Sequence, residues 1–188
     1  MPYLANAAAF LIQTIFDFLI GVFLVRAMLI AVNARFYDPI CQFVYKLTNP
    51  VITPIRRLLP RVGKIDTASL VVAFALALIE LILLAGVAGL RYGPLGWPLG
   101  ALVTVLSIAV WIAFWALLIR AVLSFFTNER DHPNAQVLVL LTEPIVRPFR
   151  RLVPPVAGMD FSFLIASVAL ILVRLLIVAP LADLAARL

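Results

Sequence analysis

The chain has 188 residues, of which 65% are hydrophobic and only 13% charged, and its mean hydropathy of +1.15 excludes an ordinary water-soluble domain. The formal net charge is +6, and a basic surplus on so apolar a chain points to a membrane surface before nucleic acid. One cysteine, Cys41, and one histidine, His132, exclude an internal disulfide and a Cys/His metal cluster; both are read as loop or interfacial side chains.

Four apolar stretches, about 10–32, 68–90, 100–126 and 161–184, each exceed the roughly 20 residues needed to cross the hydrocarbon core as a helix. They lack the alternation of a membrane barrel. Residues 1–9 contain no Lys or Arg, so the first stretch is expected to be a true span and not a cleaved leader.

Between the spans the chain repeats itself. Leu47-Thr-Asn-Pro-Val-Ile-Thr-Pro-Ile-Arg-Arg-Leu-Leu-Pro60 returns as Leu141-Thr-Glu-Pro-Ile-Val-Arg-Pro-Phe-Arg-Arg-Leu-Val-Pro154, at an offset of 94 residues without a gap. The register extends to Arg26/Arg120, Pro39/Pro133, Gln42/Gln136 and Asp66/Asp160. A period this long signals a duplicated module, not a solenoid. The expected domains are residues 1–94 and 95–188, two spans each. An even number of spans per copy gives both copies the same orientation, a parallel repeat.

The 33–66 connection carries Arg35, Lys46, Arg56, Arg57, Arg61 and Lys64, and the 127–160 connection carries Arg130, Arg147, Arg150 and Arg151. The positive-inside rule then places both connections in the cytoplasm and both termini outside. In each, a Pro-bounded segment (54–60 and 148–154) reads as a short interfacial amphipathic helix, with Thr53 as cap and Pro54 at the first helical position. Ile55, Leu58 and Leu59, and in the second copy Phe149, Leu152 and Val153, form the apolar face. The pairs Arg56–Arg57 and Arg150–Arg151 then reach lipid phosphate or a protein partner, or only anchor the loop. Asp66 and Asp160 are expected to cap the following spans.

Inside the spans, Arg26 and Arg120 lie six residues from the span ends, about 9 Å along a helix and within snorkelling reach of the headgroups. Asp17, Glu80 and Arg174 fall at nearly one depth. Each costs about 2.5–3.5 kcal/mol at a span centre, so Glu80 is expected to pair with Arg174, its equivalent in the other copy, with Asp17 nearby. The pair either locks the copies together or forms part of a proton or cation path.

The sequence has no P-loop, no G-x-S-x-G and no H-E-x-x-H, so neither catalysis nor a cofactor is expected. The doubled Leu-Thr-(Asn/Glu)-Pro-x-x-x-Pro-x-Arg-Arg-Leu-x-Pro, with Asp six residues on, resembles the YggT family of small bacterial membrane proteins and its shorter YlmG-type relatives. The resemblance falls on Thr48, Pro50, Pro54, Arg56, Arg57, Pro60 and Asp66, and on Thr142, Pro144, Pro148, Arg150, Arg151, Pro154, Gly158 and Asp160. The first copy departs from the family's Pro-x-x-Gly-Gly-x-Asp ending, reading Pro60-Arg-Val-Gly-Lys-Ile-Asp66.

The resemblance implies an inner-membrane location and links to osmotic tolerance, cell division or cytochrome maturation. It brings no catalytic residue. Two functions stay open: a membrane assembly or scaffold module docking anionic lipid or a partner protein, and a small ion-conducting or proton-coupled protein using Asp17 and Glu80. The apolar flanks also leave room for a homo-oligomer, and no nucleic acid is expected.

Overall fold

The computed structural model describes residues 2–34, 38–57, 59–89, 92–126, 133–152 and 162–188. Helix α1 (Pro2–Ala31) is followed by α2 (Pro39–Ile55), α3 (Thr67–Ala88), α4 (Gly96–Phe126) and α5 (Pro133–Leu152). The last span is α6 (Ser162–Val173), a π-helical turn (Arg174–Val178) and α7 (Ala179–Arg187). Among the described residues four segments are long and apolar enough to cross a bilayer: Tyr3–Ala31, Thr67–Ala88, Gly96–Leu123 and Ser162–Arg187. The first span therefore begins several residues before the expected position near Phe10.

The ends of these helices follow from local chemistry. Asn33 adopts a left-handed φ of 52°, and Ala34 N–H donates to the Leu29 carbonyl, closing α1 as a helix-stop motif. Asp38 opens α2: its carboxylate accepts from Ile40 N–H at 2.8 Å, with Pro39 at the first helical position. Gly89, at φ 70°, ends α3.

The π turn stands just before Pro180, whose ring would crowd the Leu176 carbonyl in an α-helix. Widening the register, with Ala179 N–H donating to the Arg174 carbonyl, accommodates that ring.

α1, α3 and α4 pack around one core of Ile20, Phe23, Leu24, Val72, Leu81 and Val105. Small residues at the contact (Ala68, Ala73, Ala77 and Ala101, all fully buried) let the helices approach closely. The second repeat has its own core of Leu117, Val146, Phe163 and Ala166.

The connecting helices α2 and α5 differ from the expected short segments. α2 lies upstream of the Pro-bounded stretch, and Thr53 and Pro54 close it instead of opening a helix. The Thr53 hydroxyl donates back to the Asn49 carbonyl at 2.7 Å. In the second copy the helix runs through Pro148 to Leu152. Both are amphipathic, but they present their apolar faces differently. Phe43 is 65% exposed, whereas its equivalent Val137 is 3% exposed and packs against Leu29, Ile30, Cys41 and Val44. α5 is thus wedged against the first repeat, while the matching face of α2 is open.

Candidate functional site

The loop motif and the span arginine fold into one buried cluster. Arg26 is 1% exposed. Its Nη1 donates to Thr48 Oγ1 at 2.5 Å and to Asn49 Oδ1 at 2.9 Å, and its Nε donates to Asp66 Oδ2 at 3.3 Å. The Thr48 hydroxyl accepts from Arg26 because its own proton is directed to the Val44 carbonyl, 2.6 Å away and one helical turn back. Ser69 Oγ donates to Asp66 Oδ2 at 2.6 Å. Arg56 Nη2 reaches both Asp66 oxygens at 3.4–3.5 Å, and the Arg26 guanidinium lies 4.7 Å from the Tyr45 ring centroid.

Asp66 thus joins α1, the end of α2 and the start of α3. Burial alone would raise its pKa, but the Ser69 hydrogen bond and the Arg56 and Arg26 charges outweigh that and hold it below the usual carboxylate value. Burial raises the pKa of the Tyr45 phenol despite the opposing pull of Arg26 and Arg61.

The second repeat builds the same joint. Arg120 is 3% exposed and donates to Thr142 Oγ1 at 2.8 Å and Glu143 Oε2 at 3.2 Å. Thr142 Oγ1 donates to the Leu138 carbonyl at 2.6 Å, and Arg150 reaches Glu143 Oε1 at 3.3 Å. Phe163, the equivalent of Ser69, lies under Arg120 (4.9 Å) and Arg150 (5.5 Å).

Arg26 and Arg120 do not snorkel. The amphipathic helix crosses their span end and offers a fixed hydroxyl, so each guanidinium turns into the protein. Asp66 sits at the N-cap position of α3 but its side chain makes no capping bond; two arginines and Ser69 occupy it. The Arg-Arg pairs do not act as units. Arg56 faces Asp66 and Arg150 faces Glu143, while Arg57 and Arg151 are exposed.

Glu80 and Arg174 are not brought together. Glu80 is 4% exposed, with Oε2 lacking a hydrogen-bond partner, and it lies close enough to Asp17 to feel its charge. Arg174 is exposed and rests 4.5 Å from the Trp111 ring centroid. The reason lies in the repeat. Trp111 is the equivalent of Asp17, as Arg174 is of Glu80, so each partner comes from the same copy and not across the copies. Leu58, His132, Pro154, Gly158 and Asp160 lie outside the described residues. Cys41 is buried among apolar side chains, and among the described residues no group of His, Cys, Asp or Glu is placed to hold a metal ion.

Sequence reasoning missed Asn49, Glu143, Ser69, Tyr45, Phe163 and Trp111. The 94-residue offset carried the signal for Trp111, which occupies the place of Asp17.

Four apolar helices, duplicated loop helices and the paired Arg–Thr joints define a multi-pass helical membrane protein built from two tandem copies of one module. The chain belongs to the CCB3/YggT family, whose sequence profile matches residues 5–87 and again 99–181. A protein of Escherichia coli (strain K12) described as "Uncharacterized protein YggT" is 38% identical over 170 residues, covering 90% of this chain and 88% of the relative. A Vibrio alginolyticus protein described as "Uncharacterized protein in proC 3'region" is 40% identical over 168 residues, covering 88% and 90%. An uncharacterised Pseudomonas aeruginosa protein is 35% identical over 184 residues, covering 95% and 92%. No solved structure matches the chain.

Proposed function

We propose that this protein is a non-enzymatic scaffold of the bacterial inner membrane, whose cytoplasmic loop helices dock anionic phospholipid headgroups and so form a platform for a protein partner. The observation that carries this reading is the division of labour within each Arg-Arg pair. The first arginine contacts a carboxylate of the joint, Asp66 for Arg56 and Glu143 for Arg150, and the second is left exposed.

Around it, α2 exposes the stripe Ile40, Phe43, Leu47 and Val51, with exposed Lys46 and Arg57 nearby in sequence. An apolar face beside basic side chains suits the headgroup boundary, where anionic lipid contributes about 1 kcal/mol per basic residue. In the second copy Arg147 and Arg151 are exposed. Osmotic tolerance or division is the setting proposed for such a platform.

The test is lipid retention in nanodiscs containing anionic and zwitterionic phospholipid, read by native mass spectrometry. Wild type is expected to retain anionic lipid preferentially, and a variant carrying Arg57→Gln, Arg147→Gln and Arg151→Gln is expected to lose the preference while remaining folded. Equal retention by the two would refute lipid docking through these residues.

A second reading rests on Glu80. A buried carboxyl with an unpartnered oxygen beside Asp17 suits a group that takes up and releases a proton within the bilayer. Proton flux into proteoliposomes that Glu80→Gln abolishes would favour ion coupling. Flux no greater than in empty vesicles would remove it.

A further inference from the structure

Asp17 and Arg174 are left with opposite charges on one face of the molecule. Asp17 lines a cavity of about 460 Å³ between α1 and α4, with Ile108, Trp111, Ile112 and Trp115, closed at one end by the loop helices α2 and α5. Arg174 lines a second cavity, about 340 Å³, between α4 and the last span, with Val110, Trp111, Phe114 and Leu170. Trp111 belongs to both, so the cavities flank α4 on the same side, with the acid in one and the base in the other.

The three residues also share one depth. Asp17 and Trp111 are equivalent positions of a parallel repeat and line the same cavity, and Arg174 stacks on Trp111. Both charged side chains are exposed. Among the described residues neither has an oppositely charged partner within ion-pair distance; the ion pairs found there involve Arg26, Arg56, Arg120 and Arg150. Charges at this depth are costly against hydrocarbon, and the lipid headgroups are half a bilayer away.

Symmetry supplies the cover. Consider a twofold axis along the bilayer normal, passing in front of Trp111. Rotation about it carries the acidic side of this face onto the basic side of its copy, at unchanged depth. Asp17 of each copy then meets Arg174 of the other, twice, with Trp111 and Trp115 between the two pairs. A self-complementary patch of this kind is what an isologous interface requires.

We propose that the chain forms a twofold-symmetric dimer in the membrane through the α1–α4–π-turn face, held by two reciprocal Asp17–Arg174 ion pairs around a tryptophan centre. Its cover is a second copy of this chain, because that copy brings both complementary charges at the right depth and spacing. The dimer stands independently of the lipid-docking reading.

The experiment is a dissociation constant in liposomes, from single-molecule photobleaching at graded protein density, for wild type, Asp17→Arg, Arg174→Asp and the double exchange. Each single exchange places like charges opposite one another and should weaken association by about tenfold or more, while the double exchange should return to within about threefold of wild type. A second measurement does not depend on those variants folding well. With Cys41→Ser in the background, Trp115→Cys should give a copy-to-copy disulfide on mild oxidation, whereas Ile82→Cys, on the exposed side of α3, should not. Wild type that stays monomeric, a double exchange no stronger than the singles, or cross-linking at position 82 in place of 115 would each overturn the proposal.

Discussion

In the first repeat the buried guanidinium of Arg26 is met by Asp66, Thr48 and Asn49 and lies against Tyr45. In the second, Arg120 meets Thr142 and Glu143 and lies over Phe163. The arginine and the threonine are held in both copies; among the described residues the side chain after the threonine and the ring beside the guanidinium differ. Tyr45 comes from the loop helix and Phe163 from the following span. Asn49 is neutral where Glu143 is charged. The geometry fixes a cation against the threonine-bearing turn of an amphipathic helix in both copies, and the aromatic ring beside it comes from the loop helix in one and from the following span in the other. The mid-membrane positions diverge further: Asp17 beside Glu80 in one copy becomes Trp111 beneath Arg174 in the other.

The first way to break this comparison is to remove the carboxylates. Asp66 is buried and serves two arginines, so Asp66→Ala leaves charge uncompensated and should cost about 3–5 kcal/mol. Glu143 is 38% exposed in its side chain, and solvent screening should keep Glu143→Ala near 1 kcal/mol or below. Thermal unfolding of the two variants in nanodiscs checks the ratio, and similar losses would show that the difference in burial between these two carboxylates does not set their contribution.

The second test moves a proline between the copies. Gly86 is the equivalent of Pro180 and lies within the α-helical α3. Gly86→Pro should cost about 3 kcal/mol or more unless α3 widens as the last span does. Amide exchange around residues 80–86 would report that widening.

A smaller effect, on the order of 0.5–2 kcal/mol, is expected from the rings. Phe163→Leu removes a surface that serves Arg120 and Arg150, Tyr45→Leu one that serves Arg26, and each should lower the melting temperature.

The acid limb should also differ. Because the folded Asp66 carboxyl titrates below its usual value, its stabilisation is present above the unfolded value of about 3.9 and is lost as pH falls through the lower folded value. Melting temperature measured from pH 6 down to 3 should fall less steeply in Asp66→Asn, from a lower starting point. An unchanged acid limb in that variant would assign the loss to other carboxylates.

The smallest change is a gain. A Cβ at Gly86 meets nothing within 4 Å, so Gly86→Ala should stabilise α3 by about 0.5–1 kcal/mol.

Much of the architecture was legible in the chain. Spans declare themselves by length and apolarity, and the duplication by an ungapped offset, because both are properties of the chain alone. The joints were only half legible. Thr48, Arg56 and Asp66 stood out through repetition, but their convergence on Arg26 depends on α2 lying across the end of α1, which local pattern does not encode. Pro54 was expected to open a short helix, yet α2 runs through Pro50 and Pro54 to Ile55. Tertiary anchoring of Thr48 and Ile52, both buried, holds those turns against the propensity of proline. The Glu80–Arg174 expectation went astray on a choice between two geometries. Equivalent positions were set facing each other across the copies, whereas each faces a neighbour within its own copy.

The two arginines of each pair are placed differently, the first against a carboxylate and the second exposed. The most direct measurement is thermal unfolding, in identical nanodiscs, of Arg56→Gln with Arg150→Gln beside Arg57→Gln with Arg151→Gln. The account predicts a clear fall for the first variant, at about 2–4 °C for each kcal/mol lost, and no appreciable change for the second. Equal falls, or a larger fall for the second, would contradict it.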